Sequence, residues 1–529
     1  MARSIHIYRK LESPAVVDLR IVPKDLHNEV VIRNMAAQKL KVSSQEIVDL
    51  RIVKRSIDAR KKPIYQLRVQ VALKGEKLHP VEFKIDYPKV HDKTAVAIIG
   101  MGPAGMFAAL RLIEYGLKPV IFERGKKVRA RRRDLAKLTR EHIVDPDSNY
   151  CFGEGGAGTY SDGKLYTRSG KRGSIKDVLQ TLVAHGADAD IMVDAHPHIG
   201  TNRLPEIIEG MRETILEKGG EIHFEHRVND IVLKDDGKKE LVFEEGSFVA
   251  DEVILATGHS ARDIFELFDK KHWQIESKTF AMGVRIEHPQ ELIDKIQYRQ
   301  DRGEYLPPAA YSLVCQVDGR GVYSFCMCPG GIIAPCATAP GEIVTNGWSP
   351  SKRNNPYANS GMVVGVEAED LESMGYEGPL AGLRFQQHIE QKACELAGGT
   401  QQAPAQRLVD FIEGKVSSDL PQCSYKPGVK SIDLRQLFPP FIADRLAQAF
   451  VDWGKRMKGF MTNDAILVAP ESRTSSPVRI PRDNDSLEHP DVPGLYPCGE
   501  GAGYAGGIVS AAMDGQRVAA AIQVRYSPE

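Results

Sequence analysis

The sequence predicts an α/β protein of several domains, built around a parallel sheet with helices on its faces. At 529 residues the chain is too long for a single hydrophobic core. Residues 94–125 hold an apolar β-branched run, a glycine-rich turn, a helical pattern and a second apolar run, which is the order of a βαβ unit. The segments before and after this unit mix strand alternation with helical spacing, which is typical of α+β units.

The glycine-rich turn of the βαβ unit predicts a dinucleotide site. Gly100 makes a tight turn after the strand at 95–99, Gly102 lets the backbone approach a pyrophosphate, and Gly105 lets helix and strand pack closely. The N–H groups that begin the helix also favour a phosphate. The residues expected at the phosphates are Gly100, Gly102, Pro103, Ala104 and Gly105.

An acidic residue follows at the position where a ribose is usually bound. Glu123 ends the second strand, eighteen residues after Gly105, and its carboxylate can accept hydrogen bonds from ribose hydroxyls. We include the adjacent Arg124 in this predicted site. A βαβ turn without a ligand is the alternative.

Charge is balanced overall but unevenly distributed. Residues 1–93 carry a net charge of +9, and the rest of the chain carries −9. A further basic run at 124–140 includes Arg131, Arg132 and Arg133. We favour a solvated helix face over an anionic partner, and do not expect nucleic acid as the partner.

Cysteine usage and hydropathy predict a cytoplasmic protein. The eight cysteines show no CxxC pair and no metal-ligand spacing, which argues for a reducing compartment and against disulfides or a bound metal. No apolar run is long enough to span a bilayer, and residues 1–10 lack the apolar segment of a signal peptide.

The first 93 residues form a predicted small, basic α+β module. Residues 65–73 alternate as a half-buried strand does, residues 31–40 have helical spacing, and Ser43 with Glu46 fits a capping box. We expect the module to pack on the main body, with binding of RNA or of a protein as alternatives.

A second glycine-rich segment lies at 151–164. Its many free N–H donors can surround anionic or carbonyl oxygens, and we favour this role over a flexible surface loop because the segment follows the dinucleotide motif. The residues expected to bind the cofactor are Gly155, Gly156, Gly158, Thr159, Ser161 and Asp162.

The next segments bear a family resemblance. A helix is predicted at 204–218, a strand at 221–233 through Val228, and a buried strand at 251–258 that ends on Ala256, Thr257 and Gly258. Together with the dinucleotide motif, this set resembles the glutathione-reductase-like flavoproteins with two dinucleotide-binding domains. The resemblance implies a Rossmann-like domain that binds FAD, with the Val228 backbone at the adenine and the 256–258 turn near the cofactor.

The C-terminal segment at 495–507, followed by a predicted helix at 508–523, resembles the second FAD motif of the same superfamily. The resemblance implies that Glu500 holds a ribityl hydroxyl, where most relatives have Asp, and that the helix N-terminus faces the flavin. There it would favour negative charge on the reduced flavin. The residues included in the site are Gly499, Glu500, Gly506, Gly507 and Ile508.

A narrower resemblance rests on the segments GEGGAGTYSDGKL, CFGEGG and FCMCPGG. They are similar to a bacterial family of uncharacterised FAD-dependent dehydrogenases, over about residues 94–529. This resemblance implies the cofactor and the fold and says nothing of the substrate.

The predicted domain order is a module at 1–93, a first FAD-binding part at 94–275, an inserted α+β substrate domain at 276–458 and a second FAD-binding part at 459–529. Within the insertion, 312–317 and 322–328 form a predicted hairpin, and two amphipathic helices follow around 385–396 and 442–457. We expect the insertion to cover one flavin face. No second GxGxxG motif is present, which argues against a dedicated NAD(P)H domain.

The catalytic candidates are weakly specified. Cys326 and Cys328 could form a redox pair, but a CxC disulfide is strained, and we favour inert buried thiols. Arg473 could hold a substrate carboxylate or the flavin pyrimidine, or form a loop salt bridge. His259 and Tyr504 could reach the cofactor.

Taken together, the sequence predicts an FAD-dependent dehydrogenase. Hydride would pass between a small organic substrate, or NAD(P)H, and flavin N5, and a redox partner protein could accept the electrons. A flavin-dependent monooxygenase-like enzyme is one alternative, and an RNA- or protein-binding factor with structural FAD is another.

Overall fold

The computed structural model describes residues 14–167 and 173–526. The strands are Ala15–Ile21 (β1), Ile47–Asp58 (β2), Ile64–Leu73 (β3), Ala95–Ile99 (β4), Lys118–Glu123 (β5), Glu221–Phe224 (β6), Asp230–Leu233 (β7), Lys239–Val242 (β8), Ser247–Ala250 (β9), Val253–Leu255 (β10), Glu276–Ser277 (β11), Phe280–Pro289 (β12), Val314–Val317 (β13), Arg320–Cys328 (β14), Ile332–Pro335 (β15), Thr345–Trp348 (β16), Tyr357–Val366 (β17), Ala403–Arg407 (β18), Val429–Ser431 (β19), Ile466–Glu471 (β20), Val478–Arg479 (β21) and Leu495–Pro497 (β22). The helices are Glu29–Leu40 (α1), Pro103–Glu114 (α2), Val128–Glu141 (α3), Ile175–Ala184 (α4), Leu204–Glu217 (α5), Arg262–Lys270 (α6), Gln290–Tyr298 (α7), Ala368–Ser373 (α8), Ala381–Ala397 (α9), Leu408–Glu413 (α10), Pro440–Arg456 (α11) and Ile508–Tyr526 (α12). Within the described ranges, none of these helices combines the length and the apolar character needed to cross a membrane.

The N-terminal unit is a three-stranded antiparallel sheet, in the order β1-β3-β2, with α1 packed on it. The predicted capping box is confirmed: Ser43 and Glu46 cap a short 3-10 helix reciprocally before β2. The apolar side of this unit belongs to the same hydrophobic core as the strands β12, β14 and β17. Arg55 adds an ionic link to the main body, since its guanidinium lies 2.6 Å from Asp194 and 2.9 Å from Asp190.

The dinucleotide motif lies in a five-stranded sheet, in the order β22-β10-β4-β5-β6, with all neighbouring strands parallel. The strands carry continuous apolar runs because the sheet is buried on both faces: α2 and α12 pack on one face, and α6 and the strands β7–β9 pack on the other. The carboxyl ends of β4, β5, β10 and β22 therefore meet at one edge, where ligands bind in such sheets.

The predicted strand at 221–233 is wrong in its extent. The chain leaves the parallel sheet after β6, passes through Glu225 with a φ of +59°, and starts β7 only at Asp230. Val228 therefore lies in the connection between two sheets. The strands β7, β8 and β9 form a separate antiparallel sheet, whose first hairpin turns at Gly237 with a φ of +83°.

The third large unit is a seven-stranded mixed sheet, in the order β13-β14-β17-β12-β20-β18-β19. The predicted hairpin is confirmed as β13 and β14, and the two predicted amphipathic helices are α9 and α11. The sheet extends beyond the predicted limit at 458, since β20 pairs with β12. The long strands β12 and β17 are buried on both faces, so they lack the alternation that would have marked them in the sequence.

Candidate functional site

A cavity of about 430 Å³ lies between the carboxyl edge of the parallel sheet and the seven-stranded sheet. Most of the predicted cofactor-binding residues line it. They are Gly100, Gly102, Pro103, Ala104, Glu123, Arg124, Gly156, Gly158, Ser161, Asp162, Val228, Ala256, Thr257, Gly258, Glu500, Gly506, Gly507 and Ile508. Three of the catalytic candidates, His259, Cys326 and Arg473, line it as well.

The turn from β4 to α2 brings three backbone segments into close contact. Gly100 has a φ of +99°, and a Cβ there would lie 2.5 Å from the Ala256 carbonyl oxygen. A Cβ on Gly105 would lie 2.0 Å from the Gly100 carbonyl oxygen. These two glycines therefore allow the close packing of β4, β10 and α2, and Gly100 also borders the cavity with its backbone.

Gly102 differs from its two neighbours, because the space beside it is open. It is the N-cap of α2, with a φ of −76° that any residue can adopt. The nearest atom to a Cβ placed there would be the Gly156 Cα, 4.0 Å away. The open space and the unpaired N–H groups of the helix N-terminus suit an anionic group such as a phosphate.

Glu123 has a structural role that the sequence did not predict. Its buried carboxylate accepts hydrogen bonds from the backbone N–H groups of Met101 at 2.8 Å, Gly125 at 2.9 Å and Gly153 at 2.9 Å. An ionised carboxylate offers about four acceptor positions, so one is left for a ribose hydroxyl. Glu123 thus ties the β5 end to both glycine-rich turns, and its ribose contact stays a prediction.

Arg131 supports the backbone of the second glycine-rich segment through hydrogen bonds. This side chain is fully buried, and its guanidinium donates to the carbonyl oxygens of Asn149, Tyr150, Glu154 and Gly156 at 2.7–2.9 Å. Burial lowers the pKa of Arg131 because the charged form loses water. The predicted solvated role is therefore wrong for Arg131, which supports the backbone of the loop.

Four of the predicted site residues lie behind this surface and do not border the cavity. A Cβ on Gly155 would lie 2.2 Å from the Thr159 hydroxyl, and that hydroxyl donates to the Glu154 carbonyl oxygen at 2.6 Å. Gly499 donates its N–H to Asp514 at 2.8 Å. Together with Gly105, these residues shape the turns that the cavity-lining residues occupy.

Arg473 is engaged in a buried ionic network. Its guanidinium donates to Glu390 at 3.1 and 2.9 Å, to Ser260 at 2.9 Å and to Thr338 at 2.8 Å. Arg262 joins the same network, 2.6 Å from Glu390. Burial opposes ionisation of Glu390, but the charges of Arg262 and Arg473 lower its pKa to about 2. This geometry favours the predicted salt bridge over the binding of a substrate carboxylate.

The two remaining catalytic candidates, His259 and Tyr504, lie at different distances from the cavity. His259 borders the cavity, with Nδ1 buried and 3.2 Å from Glu500 Oε1, in an orientation that makes no hydrogen bond. Tyr504 lies away from the cavity lining: its ring stacks under the Arg482 guanidinium at 3.8 Å, and its hydroxyl accepts from the backbone N–H of Arg482 at 3.1 Å. Arg482 in turn pairs with Asp514 at 2.6 Å, which fixes the start of the C-terminal turn.

The side of the cavity formed by the seven-stranded sheet, called the antiparallel wall from here on, is backed by charged residues that the sequence did not predict. Arg285 on β12 pairs with Glu471 on β20 at 2.6 and 2.9 Å, and both side chains are buried. A further Arg285 nitrogen donates to the Cys326 carbonyl oxygen at 3.2 Å. The two partners lie 186 positions apart, so no local pattern marks them. Asn346, Gly347 and Trp348 of β16 also line the cavity without a sequence signal.

Lys164 lies at the end of the second glycine-rich segment, on the side of the cavity formed by the parallel sheet. Its side chain reaches across to β14 of the seven-stranded sheet. Its Nζ lies 3.6 Å from Cys326 Sγ and 3.6 Å from Cys328 Sγ, and it donates to the Met327 carbonyl oxygen. Cys326 borders the cavity, whereas Cys328 is buried behind it. Among the residues that the structure describes, no group of three or more acidic, His or Cys side chains is placed to hold a metal ion.

Comparison with known proteins gives two family matches. Residues 279–474 match the family described as "FAD-dependent protein, C-terminal domain-like", and residues 14–72 match a domain of unknown function, DUF8436. The first match supports the prediction of an FAD-dependent protein. Its range coincides closely with the seven-stranded sheet and its helices.

One similar protein spans almost the whole chain. An "Uncharacterized protein" of Clostridium beijerinckii (strain ATCC 51743 / NCIMB 8052) is 40% identical over 515 residues, covering 92% of this chain and 95% of the relative.

Solved structures give much weaker likenesses. Tetracycline destructase Tet(51) is 11% identical with a TM-score of 0.35, covering 82% of each chain. CtdE in complex with FAD is 10% identical with a TM-score of 0.32, covering 82% of this chain and 84% of its own. Thioredoxin reductase of Lactococcus lactis is 20% identical with a TM-score of 0.19, covering 31% and 36%. At these TM-scores the likenesses support neither a shared fold nor a shared activity.

Proposed function

The chain belongs to the same family as the Clostridium beijerinckii protein, and we propose that it is an FAD-dependent oxidoreductase. The observation that carries the proposal is the convergence of four parallel strand ends and two helix N-termini on one cavity, opposite the sheet that matches FAD-dependent proteins.

The residues around the cavity fit an extended dinucleotide. The open space beside Gly102 would take the pyrophosphate, and the free acceptor position of Glu123 would take a ribose hydroxyl. Beside Gly506 and Gly507 there is also open space, since a Cβ at either position would meet nothing within 4 Å. The flavin would lie near Glu500 and the N-terminus of α12, and the buried Nδ1 of His259 offers a further polar contact.

When bound, FAD supplies reversible acceptance of two electrons. The chain's own residues orient the cofactor and exclude water. The glycine turns and helix N-termini stabilise negative charge, and the buried Arg473 and Arg285 networks keep the antiparallel wall rigid. A small organic substrate or NAD(P)H would enter the same cavity as the hydride donor, since no second dinucleotide motif is present.

The test is anaerobic titration of the flavin-loaded protein with NADPH and then with NADH, followed by visible absorbance. Bleaching of the flavin bands at substoichiometric donor supports a nicotinamide-dependent reductase. If neither nicotinamide bleaches the bands while chemical reduction does, NAD(P)H is not the donor, and an organic substrate remains. Flavin bands that resist every two-electron donor would contradict the oxidoreductase proposal.

A further inference from the structure

Two thiols and one ammonium group form a compact cluster at the cavity. Lys164 Nζ lies 3.6 Å from each of the sulfurs of Cys326 and Cys328, and 3.8 Å from Asp162 Oδ2. The lysine comes from the parallel half and the cysteines come from β14 in the other half. The cluster therefore exists only in the folded protein and has no motif of its own in the sequence.

The backbone of β14 is bent at the cysteines. Its pairing with β17 is interrupted between Phe325 and Cys328, and Cys326 has a φ of +46°. In a regular strand, residues i and i+2 are about 6.6 Å apart, near the upper limit for a disulfide of about 6.8 Å. A bulge bends the strand at this point, so the spacing of a regular strand does not describe Cys326 and Cys328.

The surroundings shift the pKa values of the two thiols in opposite directions. A hydrogen bond from Cys328 and the charges of Lys164 and Arg285 hold the pKa of Cys326 well below its usual value, in spite of burial. Its hydrogen bond to Cys326, together with burial, raises the pKa of Cys328. These shifts favour a thiolate on Cys326 and a thiol on Cys328, whose S–H donates to the Cys326 carbonyl oxygen at 3.3 Å.

The two thiols also differ in how accessible they are from the cavity. Cys326 borders the cavity and is partly exposed, whereas Cys328 is completely buried. A thiolate that is accessible and a thiol that is sheltered directly behind it are the two components of thiol–disulfide exchange: the first attacks and the second resolves.

We propose that Cys326 and Cys328 are a redox-active dithiol and that the substrate of this site is a disulfide. The assignment rests on the proposed function, because the bound flavin replenishes the electrons. The Cys326 thiolate attacks one sulfur of the substrate disulfide and releases a thiolate. Cys328 then attacks the mixed disulfide, giving the Cys326–Cys328 disulfide and a second product thiol, to which its proton passes. Bound FAD in its reduced form would supply the two electrons and one proton that return this disulfide to the Cys326 thiolate and the Cys328 thiol.

The first test measures the pH dependence of iodoacetamide labelling, located by mass spectrometry. Cys326 of the purified holoprotein should be labelled with a midpoint well below the value near 8.5 of a free thiol. Cys336 lines the same cavity, but burial raises its pKa, so it is a control within the same molecule and should react slowly. Lys164→Met should slow labelling of Cys326 at pH 7 by about tenfold, and Lys164→Arg should retain most of it.

The second test equilibrates the holoprotein with glutathione buffers of different ratio. The wild type should form the Cys326–Cys328 disulfide, and Cys328→Ser should accumulate glutathione on Cys326. An ordinary labelling midpoint for Cys326, or no intramolecular disulfide at any glutathione ratio, would overturn the proposal. Both readouts concern thiols alone, so they can fail while the flavin still reacts with another donor, and they can succeed even if the flavin assignment is wrong.

Discussion

The two walls of the cavity differ in the chemical groups that form them. On the parallel side the surface is mostly backbone: glycine turns, helix N-termini and loop amides held by Glu123 and Arg131. On the antiparallel side it is backed by buried charged side chains, with Arg285 on Glu471 and Arg473 on Glu390. The parallel side therefore suits a cofactor of fixed shape. The antiparallel side supplies charges that set the reactivity of groups facing the cavity.

The largest expected effect contrasts two glycines of the parallel wall. Gly105→Val should lower stability by about 5 kcal/mol, because its Cβ alone would overlap the Gly100 carbonyl oxygen. Gly102→Val should fold, since its Cβ has open space, yet lose FAD because the side chain fills the proposed pyrophosphate position. Thermal unfolding and the FAD content of each purified variant test the contrast, and a Gly102→Val protein that retains full FAD would refute the assigned position.

On the antiparallel wall, Arg285→Ala should cost about 4 kcal/mol, because Glu471 would remain buried without a partner. The double variant Arg285→Met, Glu471→Met should recover most of this loss, since no unpaired charge remains. The midpoint of urea unfolding measures both. Equal stability of the single and double variants would show that the charges do not depend on each other.

A smaller effect separates two neighbouring arginines on α3. Arg131→Met should cost about 3 kcal/mol and weaken FAD binding, because four buried carbonyl oxygens of the loop lose their donor. Arg133→Ala should change stability by less than about 0.5 kcal/mol, since this side chain is exposed. Similar losses in both variants would contradict the assigned support role of Arg131.

The smallest effect concerns pH. Burial raises the pKa of Glu287 to about 7, although hydrogen bonds from Ser424 oppose the shift. Because the folded pKa exceeds the unfolded value of about 4.3, this group's contribution is present at low pH and is lost as pH rises through 7. The wild type should lose about 2 kcal/mol from this group between pH 5.5 and 8. Glu287→Gln should not, and urea midpoints at the two pH values compare them.

The difference between the backbone-lined wall and the wall backed by charged side chains also explains which features the sequence could predict. Backbone sites depend on glycine spacing and strand–helix order within short segments, so the turns at Gly100 and Gly156 and the edge position of Glu500 were accessible from one sequence. Side-chain networks join positions more than eighty residues apart, such as Glu390 with Arg473, and no local pattern encodes such a pairing. The misplaced strand through Val228 has a related cause, because the left-handed conformation of Glu225, which follows the end of β6, has no marker in the sequence.

Arg131 shows the same limit within a local motif. Its neighbours Arg132 and Arg133 are exposed, and the three residues are identical in type. Only the packing of α3 under the second glycine-rich segment distinguishes the buried one, since the helix turns each side chain by about 100°. The charge of the run was therefore predictable and its division of roles was not.

The most direct test of the account is the FAD content of the purified protein, measured by visible absorbance and by identification of the released cofactor after reconstitution with FAD. The account predicts about one FAD per chain, retained through gel filtration and lost in Gly102→Val while that variant keeps its fold. A folded wild-type protein that binds no flavin after reconstitution would contradict the central claim.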